Sequence, residues 1–205
     1  MITTATAKAG TRSPGRPRSA EADDAILEAA VELFARTGFD GLTVEAVAAR
    51  AGVGKATVYR RYSCKVDLVA AACRAAADLG REPPDTGSVR GDLRALLTWL
   101  VGVLTAGPVG RMLPALVADK TRIAELAAEQ HALLHEKRRR HRAVVERAIG
   151  HGELSADVDP EVVIDACVGP VFYRFLVSGD PLDDAFVEAI VDAVVRAFAP
   201  EPSTA

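Results

Sequence analysis

Apolar residues recur along this chain mostly with the period of a helix. Ile26, Ala30, Leu33 and Phe34 fall at i, i+4, i+7 and i+8, on one face of a helix that starts at Ser19. Glu21, Asp23 and Asp24 occupy its first turn, where acids suit the positive end of the helix dipole. Gly38 ends it, and Phe39-Asp40-Gly41 reads as a turn. Thr43 is an N-cap for a short helix to about Arg50. Ala51-Gly52 turns, a second short helix runs from about Gly54 to Arg61, and Ser63 caps a fourth helix to about Gly80. The stretch Glu82-Pro83-Pro84-Asp85-Thr86-Gly87 interrupts the helical pattern. Beyond it, Ser88 starts a helix to about Thr105 and Pro108 opens a short one through Leu116. A long pattern then runs from about Asp119 to Ile149. Asp159-Pro160-Glu161 and Asp180-Pro181 are N-cap and first-turn signals, each launching a helix of roughly 18 residues. Strand alternation never lasts more than a few residues, and no repeat of fixed period is found. The expected class is all-α.

Composition supports this. The 205 residues are 49% hydrophobic but only 5% aromatic, with Ala, Val and Leu abundant, which favours helices over a β-sandwich. A disordered chain and a disulfide-stapled miniprotein are excluded. The basic, polar N-terminus lacks the apolar core of a signal peptide. The longest uncharged run, Ala95 to Gly110, is broken at Gly107-Pro108 and falls short of the ~20 residues of a membrane span. Three cysteines (Cys64, Cys73, Cys167) are an odd number and fit reduced thiols, so a cytoplasmic location and no membrane partner are expected.

The net charge of −3 is unevenly spread: residues 1–66 carry net +3 and residues 67–205 net −6. Lys8, Arg12, Arg16 and Arg18 lie in an arm without acids, and from Thr43 to Lys65 five basic residues face Glu45 alone. A basic head on an acidic body points to a polyanion at one end.

Thr43–Lys65 reads as two short helices meeting at a tight turn. Ala48 permits a close crossing, Gly52 gives the turn its backbone freedom, and Val47, Val53 and Val58 face a shared core. Lys55, Ala56, Thr57, Tyr59 and Arg60 remain outside as a small, basic, hydrogen-bonding surface. This is the pattern of a helix-turn-helix whose second helix enters a DNA major groove.

The stretch from about Ser19 to Ala71 resembles the TetR family of bacterial transcriptional repressors. The likeness is carried by Leu42-Thr43-Val44-Glu45-Ala46-Val47-Ala48, by Gly52 through Tyr62, and by Lys65-Val66-Asp67-Leu68-Val69. Tyr62 stands where Phe is usual, and Cys64 where a small polar residue is. The resemblance implies an N-terminal three-helix helix-turn-helix head and a helical C-terminal body for ligand binding and dimerisation. It divides the chain into a flexible basic arm (1–19), a DNA-binding domain with its connecting fourth helix (20–80) and the body (81–205). It implies a repressor, not an enzyme, that binds an inverted-repeat operator in double-stranded DNA as a homodimer and is released by a small hydrophobic effector, with no cofactor.

Carried onto this sequence, the family's pattern assigns Thr43 to a phosphate and Gly54 to close backbone approach. Lys55, Ala56 and Thr57 go to base edges, and Tyr59, Arg60 and Lys65 to phosphates. Arg12, Arg16 and Arg18 add contacts from the arm. The apolar last helices form the dimer interface: Val162, Val163, Ala166, Val171, Phe172 and Leu176 in one, with a kink at Gly169-Pro170, and Phe186, Val187, Ile190, Val191, Val194 and Val195 in the other. Trp99, Leu100, Leu104, Met112, Leu113, Leu116, Ile123 and Phe172 are candidates for an apolar cavity, or for plain core.

Other signals are weaker. Gly52–Thr57 lacks the residues of a phosphate-binding P-loop, having Ala49 and Ala56 at its required Gly and Ser/Thr positions. His131 and His135 have metal-ligand spacing without a further ligand and read as a solvated face; no metal is expected. Lys137–Arg142 reads as an exposed stripe paired with Glu136 and Glu146. Cys64 and Cys73, nine residues apart on one helix, are separated by ~13 Å of rise and cannot form a disulfide there. The competing reading is a helical ligand-binding or scaffold protein that holds nucleic acid nonspecifically.

Overall fold

A computed structural model of the chain describes residues 18–76, 82–120 and 124–201. Among them are nine α-helices and no strand: α1 Arg18–Gly41, α2 Val44–Arg50, α3 Lys55–Tyr59, α4 Lys65–Ala76, α5 Val89–Thr105, α6 Pro108–Lys120, α7 Ala124–Gly150, α8 Pro160–Tyr173 and α9 Asp184–Ala197. Arg12, Arg16 and Ile123, the expected end of helix four at Gly80 and the 80/81 boundary lie outside the described residues.

Local chemistry sets most of these helices. Thr43 Oγ1 accepts from Ala46 N, Ser88 Oγ from Gly91 N, and Asp159 Oδ1 from Glu161 N, so two expected caps are made and the helix expected to start at Ser88 is capped by that serine. Gly38 breaks α1 with φ 65° and ψ −171°, a conformation that costs glycine little.

Two expected helix starts are corrected. Cys64, not Ser63, caps α4: its Sγ accepts from Asp67 N at 3.5 Å, while the Ser63 hydroxyl and amide both bond the Asp67 carboxylate. The last helix begins at Asp183, whose Oδ1 accepts from Phe186 N, rather than at Asp180-Pro181. Asp180 instead accepts from Ser178 Oγ, and the Pro181 carbonyl accepts from Arg174, which ties both into the preceding turn. That turn is a π segment, Arg174–Ser178, continuing α8 four residues beyond Pro170. α3 is also shorter than expected, ending at Tyr59 with Arg60 as C-cap.

Burial sorts the helices around two cores. One joins Ile26, Phe34, Leu42, Val47, Val58 and Leu68 of the N-terminal helices. The other joins Leu93, Leu97, Leu100, Val163 and Val191 of α5, α8 and α9, with Val145 of α7. α6 serves both: Val109 and Leu113 pack on the second core, while Met112, Ala115 and Leu116 pack on the first. Residues three and four apart share a face of the helix, so Val109 and Leu113 form one face and Met112, Ala115 and Leu116 the other.

At the far end of the second core, the buried Asp92 carboxylate accepts from Thr86 N, Thr86 Oγ1 and Arg147 Nη2. Burial alone would raise its pKa, but these donors outweigh it and hold the carboxyl below its ordinary value. Arg147 also bonds the Pro84 carbonyl, so residues 84–92 are anchored on α7.

Candidate nucleic-acid interface

The corner between α2 and α3 is built by three choices of residue. Val53 N donates to Ala48 O at 3.0 Å, which closes the turn, and Gly52 takes φ 67° within it. Val47 and Val58 are fully buried and Ala48 nearly so, which brings the two helices against α1. Because α3 has only five residues and one fully buried anchor, most of its surface stays outside. Lys55, Ala56, Tyr59 and Arg60 are exposed, and Thr57 is half-buried. Thr43 and Gly54, at the helix N-termini, are exposed beside them. A Cβ on Gly54 would meet nothing nearer than Thr57 Oγ1 at 4.0 Å, so the fold leaves that side open.

The eight residues expected to contact DNA are not equivalent. Seven form this outward corner. Lys65 is drawn inward: its Nζ donates to Phe39 O at 2.7 Å and sits 4.2 Å from the Phe39 ring. It closes the broken end of α1, whereas the family's pattern assigns it to a phosphate. Arg50 and Arg61 are also tied to α1, through Glu32 at 2.9 Å and through Asp23. Lys55 pairs with the Glu45 carboxylate across the corner.

The junction with the remaining helices converges on Phe39. Its N–H donates to the buried Asp119 Oδ2 of α6 at 2.8 Å, and its carbonyl accepts from Lys65 of α4. Asp119 lies eighty positions from its partner, and no local pattern announces it.

The candidate cavity residues are dispersed. Leu100 and Leu104 are buried in the second core, with Trp99, Leu113 and Phe172 packed against it. Met112 and Leu116 belong to the other core, so the described members of the set are divided between two cores. Met112 is adaptable and apolar, which suits a filler beneath α1 and α4 as well as a ligand wall. A depression of about 390 Å³ between Ile149, Leu154 and Pro200 contains none of these residues.

The apolar C-terminal helices divide similarly. Val163, Val171, Val187, Ile190, Val191 and Val194 are intrachain core. Val162, Tyr173, Leu176 and Val177 are exposed at 52%, 59%, 37% and 70%, an uncovered apolar set on α8 and its π extension.

The basic run on α7 is paired with Glu136 and Glu146, and also across to α8. Arg138 reaches Glu161 and Asp165, each at 2.7 Å. His131 and His135 bring their Nε2 atoms to 3.0 Å, and among the described residues no group of three or more metal ligands forms. Among the described residues no single helix is long and apolar enough to cross a membrane.

Comparison with known proteins gives a consistent result. Residues 26–72 match the family described as bacterial regulatory proteins, tetR family, and residues 83–194 match the tetracyclin repressor-like C-terminal domain. The HTH-type transcriptional regulator YdeS of Bacillus subtilis is 36% identical over 185 residues, 90% of this chain and 91% of that one. A DNA-binding transcriptional repressor TetR of Mycobacteroides abscessus is 36% identical over 191 residues, 88% and 93% of the two chains. The crystal structure of the TetR family transcription regulator SCO0332 superposes with a TM-score of 0.68 at 34% identity, covering 88% of this chain and all of that one.

Proposed function

The chain is a member of the tetR family of bacterial transcriptional regulators, generally ligand-responsive repressors and not enzymes, and on that premise we propose that it is an effector-released repressor binding an inverted-repeat operator. One observation carries this reading. α3 buries Val58 and turns Lys55, Ala56, Tyr59 and Arg60 outward on a rigid corner.

Lys55, Ala56 and Thr57 meet base edges in the major groove, where lysine donates to guanine and threonine serves as a hydrogen-bond or methyl contact. Thr43, Tyr59 and Arg60 hold phosphates, which fix register without reading sequence. Gly54 lets the backbone come close. Lys65 stands outside this set by position, its ammonium lying on the Phe39 carbonyl and ring at the end of α1.

The protein acts as a homodimer in the cytoplasm. The exposed Val162, Tyr173, Leu176 and Val177 supply the apolar face that a second copy covers, alongside α9. A twofold dimer presents two copies of α3, hence an operator of two opposed half-sites. The effector is a small apolar molecule seated among the body helices near Trp99 and Phe172, both only partly buried. It releases DNA by favouring a state whose two heads no longer match the half-sites.

The test is selection of duplexes from a randomised pool, followed by footprinting. Enrichment of a palindrome is expected, with protection lost when Lys55, Thr57 and Tyr59 are replaced by alanine together. Salt-sensitive binding without any enriched sequence would instead identify a nonspecific nucleic-acid binder.

A further inference from the structure

The α2–α3 corner carries one acid. Glu45 stands in the first turn of α2 and Lys55 opens α3, ten positions later across the Gly52 turn. Their side chains are in contact although both are more than half exposed, 58% and 53%. The Lys55 ammonium also lies 5.7 Å from the Tyr59 ring. The hydrogen bond from Lys55 holds the Glu45 carboxyl below its ordinary pKa, and Glu45 in turn raises that of Lys55. An exposed pair of this kind adds little to folding stability. Its location is more telling. The other ion-paired basic residues of this stretch, Arg50 and Arg61, reach back to carboxylates on α1. Glu45 alone places a negative charge on the outward corner, against the residue at the tip of α3.

We propose that Glu45 is a specificity-determining residue that withholds Lys55 from DNA phosphates. The inference rests on the reading that α3 faces the duplex. Phosphate contacts dominate nonspecific affinity and carry no sequence information. A free lysine at the tip of α3 would add one such contact on any duplex. A lysine already neutralised by a carboxylate gains little from a phosphate, and the carboxylate repels that phosphate at close range. Base edges are different. An ammonium has three donors, so Lys55 can keep Glu45 while donating to a guanine N7 or O6. Glu45 thus widens the gap between right and wrong sequences by weakening the wrong ones.

The test uses the full chain and two probes, a duplex selected by the wild type from a randomised pool and a scrambled duplex of the same composition. Glu45→Gln removes the charge and keeps the shape. It is expected to bind the scrambled duplex about fivefold more tightly at low salt and to steepen the log–log salt slope on it by about 0.9. Affinity for the selected duplex changes little, so the specificity ratio falls by about the same factor. Glu45→Ala gives the same slope, which separates charge from shape. In a Lys55→Met background the effect of Glu45→Gln shrinks to the direct repulsion between carboxylate and phosphate, as coupling between the two residues requires. An unchanged slope on the scrambled duplex, or an equal change in the Lys55→Met background, overturns the proposal. Failure of the underlying reading has another signature: no duplex is enriched, and Arg60→Ala binds the scrambled probe as the wild type does.

Discussion

The two cores differ in what they need from the rest of the chain. The body core closes with its own helices, and no residue of α1–α4 enters it among those described. The head core does not close alone. It takes Met112, 2% exposed, from α6, together with Ala115, Leu116 and Leu133. A hydrogen bond from Phe39 to Asp119 adds a polar tie at the same junction. The dependence is therefore one-sided. The half that carries the candidate DNA surface is completed by the half that carries the candidate effector region, so a shift of α6 within the body must repack the head.

Four measurements would break or sharpen this contrast. The largest effect is expected for Met112→Ala, a cavity in the head core costing about 2–5 kcal/mol. Urea titration followed by circular dichroism should show an early transition for the head while the body's midpoint stays put. A single transition that shifts as a whole would show that the two cores unfold together.

The body has its own sensitivity, to acid. His141 is pushed down to about 4 by burial, with Lys137 and Arg138 adding to the effect. Its folded pKa lies below its unfolded value near 6.5, so the unfolded chain binds the extra proton between those limits. Stability is full above pH ~6.5 and falls as pH drops toward 4, by up to about 3 kcal/mol. His141→Leu should flatten that dependence, as read from urea midpoints across the range; an unchanged profile would assign the acid sensitivity elsewhere.

Asp119→Ala leaves a half-buried amide without its acceptor, at a cost of about 1–2 kcal/mol. Hydrogen exchange at the Phe39 amide should accelerate, while Asp119→Asn, which keeps an acceptor oxygen, should protect it better. Equal exchange in both variants would show that the junction does not depend on this bond.

The smallest effect separates two cations of the head. Lys65→Ala should cost about 1 kcal/mol of stability and leave the salt slope of DNA binding unchanged. Arg60→Ala should leave stability alone and lower that slope by about 0.9. A lowered slope for Lys65→Ala would return Lys65 to the DNA surface.

Local signals proved reliable where one residue acts on its near neighbours. Thr43, Ser88 and Asp159 cap the helices they precede, and Gly38 and Gly52 take the left-handed conformations their turns need. Val47 and Val58 are buried, and the exposed face of α3 is the one their spacing leaves over. The misreadings came where neighbouring candidates competed. Asp180 and Asp183 are both good caps, and the carbonyl of Pro181 is held by Arg174, which leaves the start of α9 to Asp183. Cys64 outcompetes Ser63 because the serine is already bonded to Asp67.

The sequence by itself determined an all-helical chain with a basic helix-turn-helix corner, because caps, turns and the 3.6-residue period act within a few positions of one another. It also carried enough of a family's motif to indicate what that corner does. Only the tertiary structure decided that Met112 and Leu116 serve the head, that Lys65 closes α1, and that Glu45 holds Lys55. Each of those outcomes depends on which surfaces meet after the helices pack, and an apolar or charged residue carries no mark of the partner it will find across ten or eighty positions of chain.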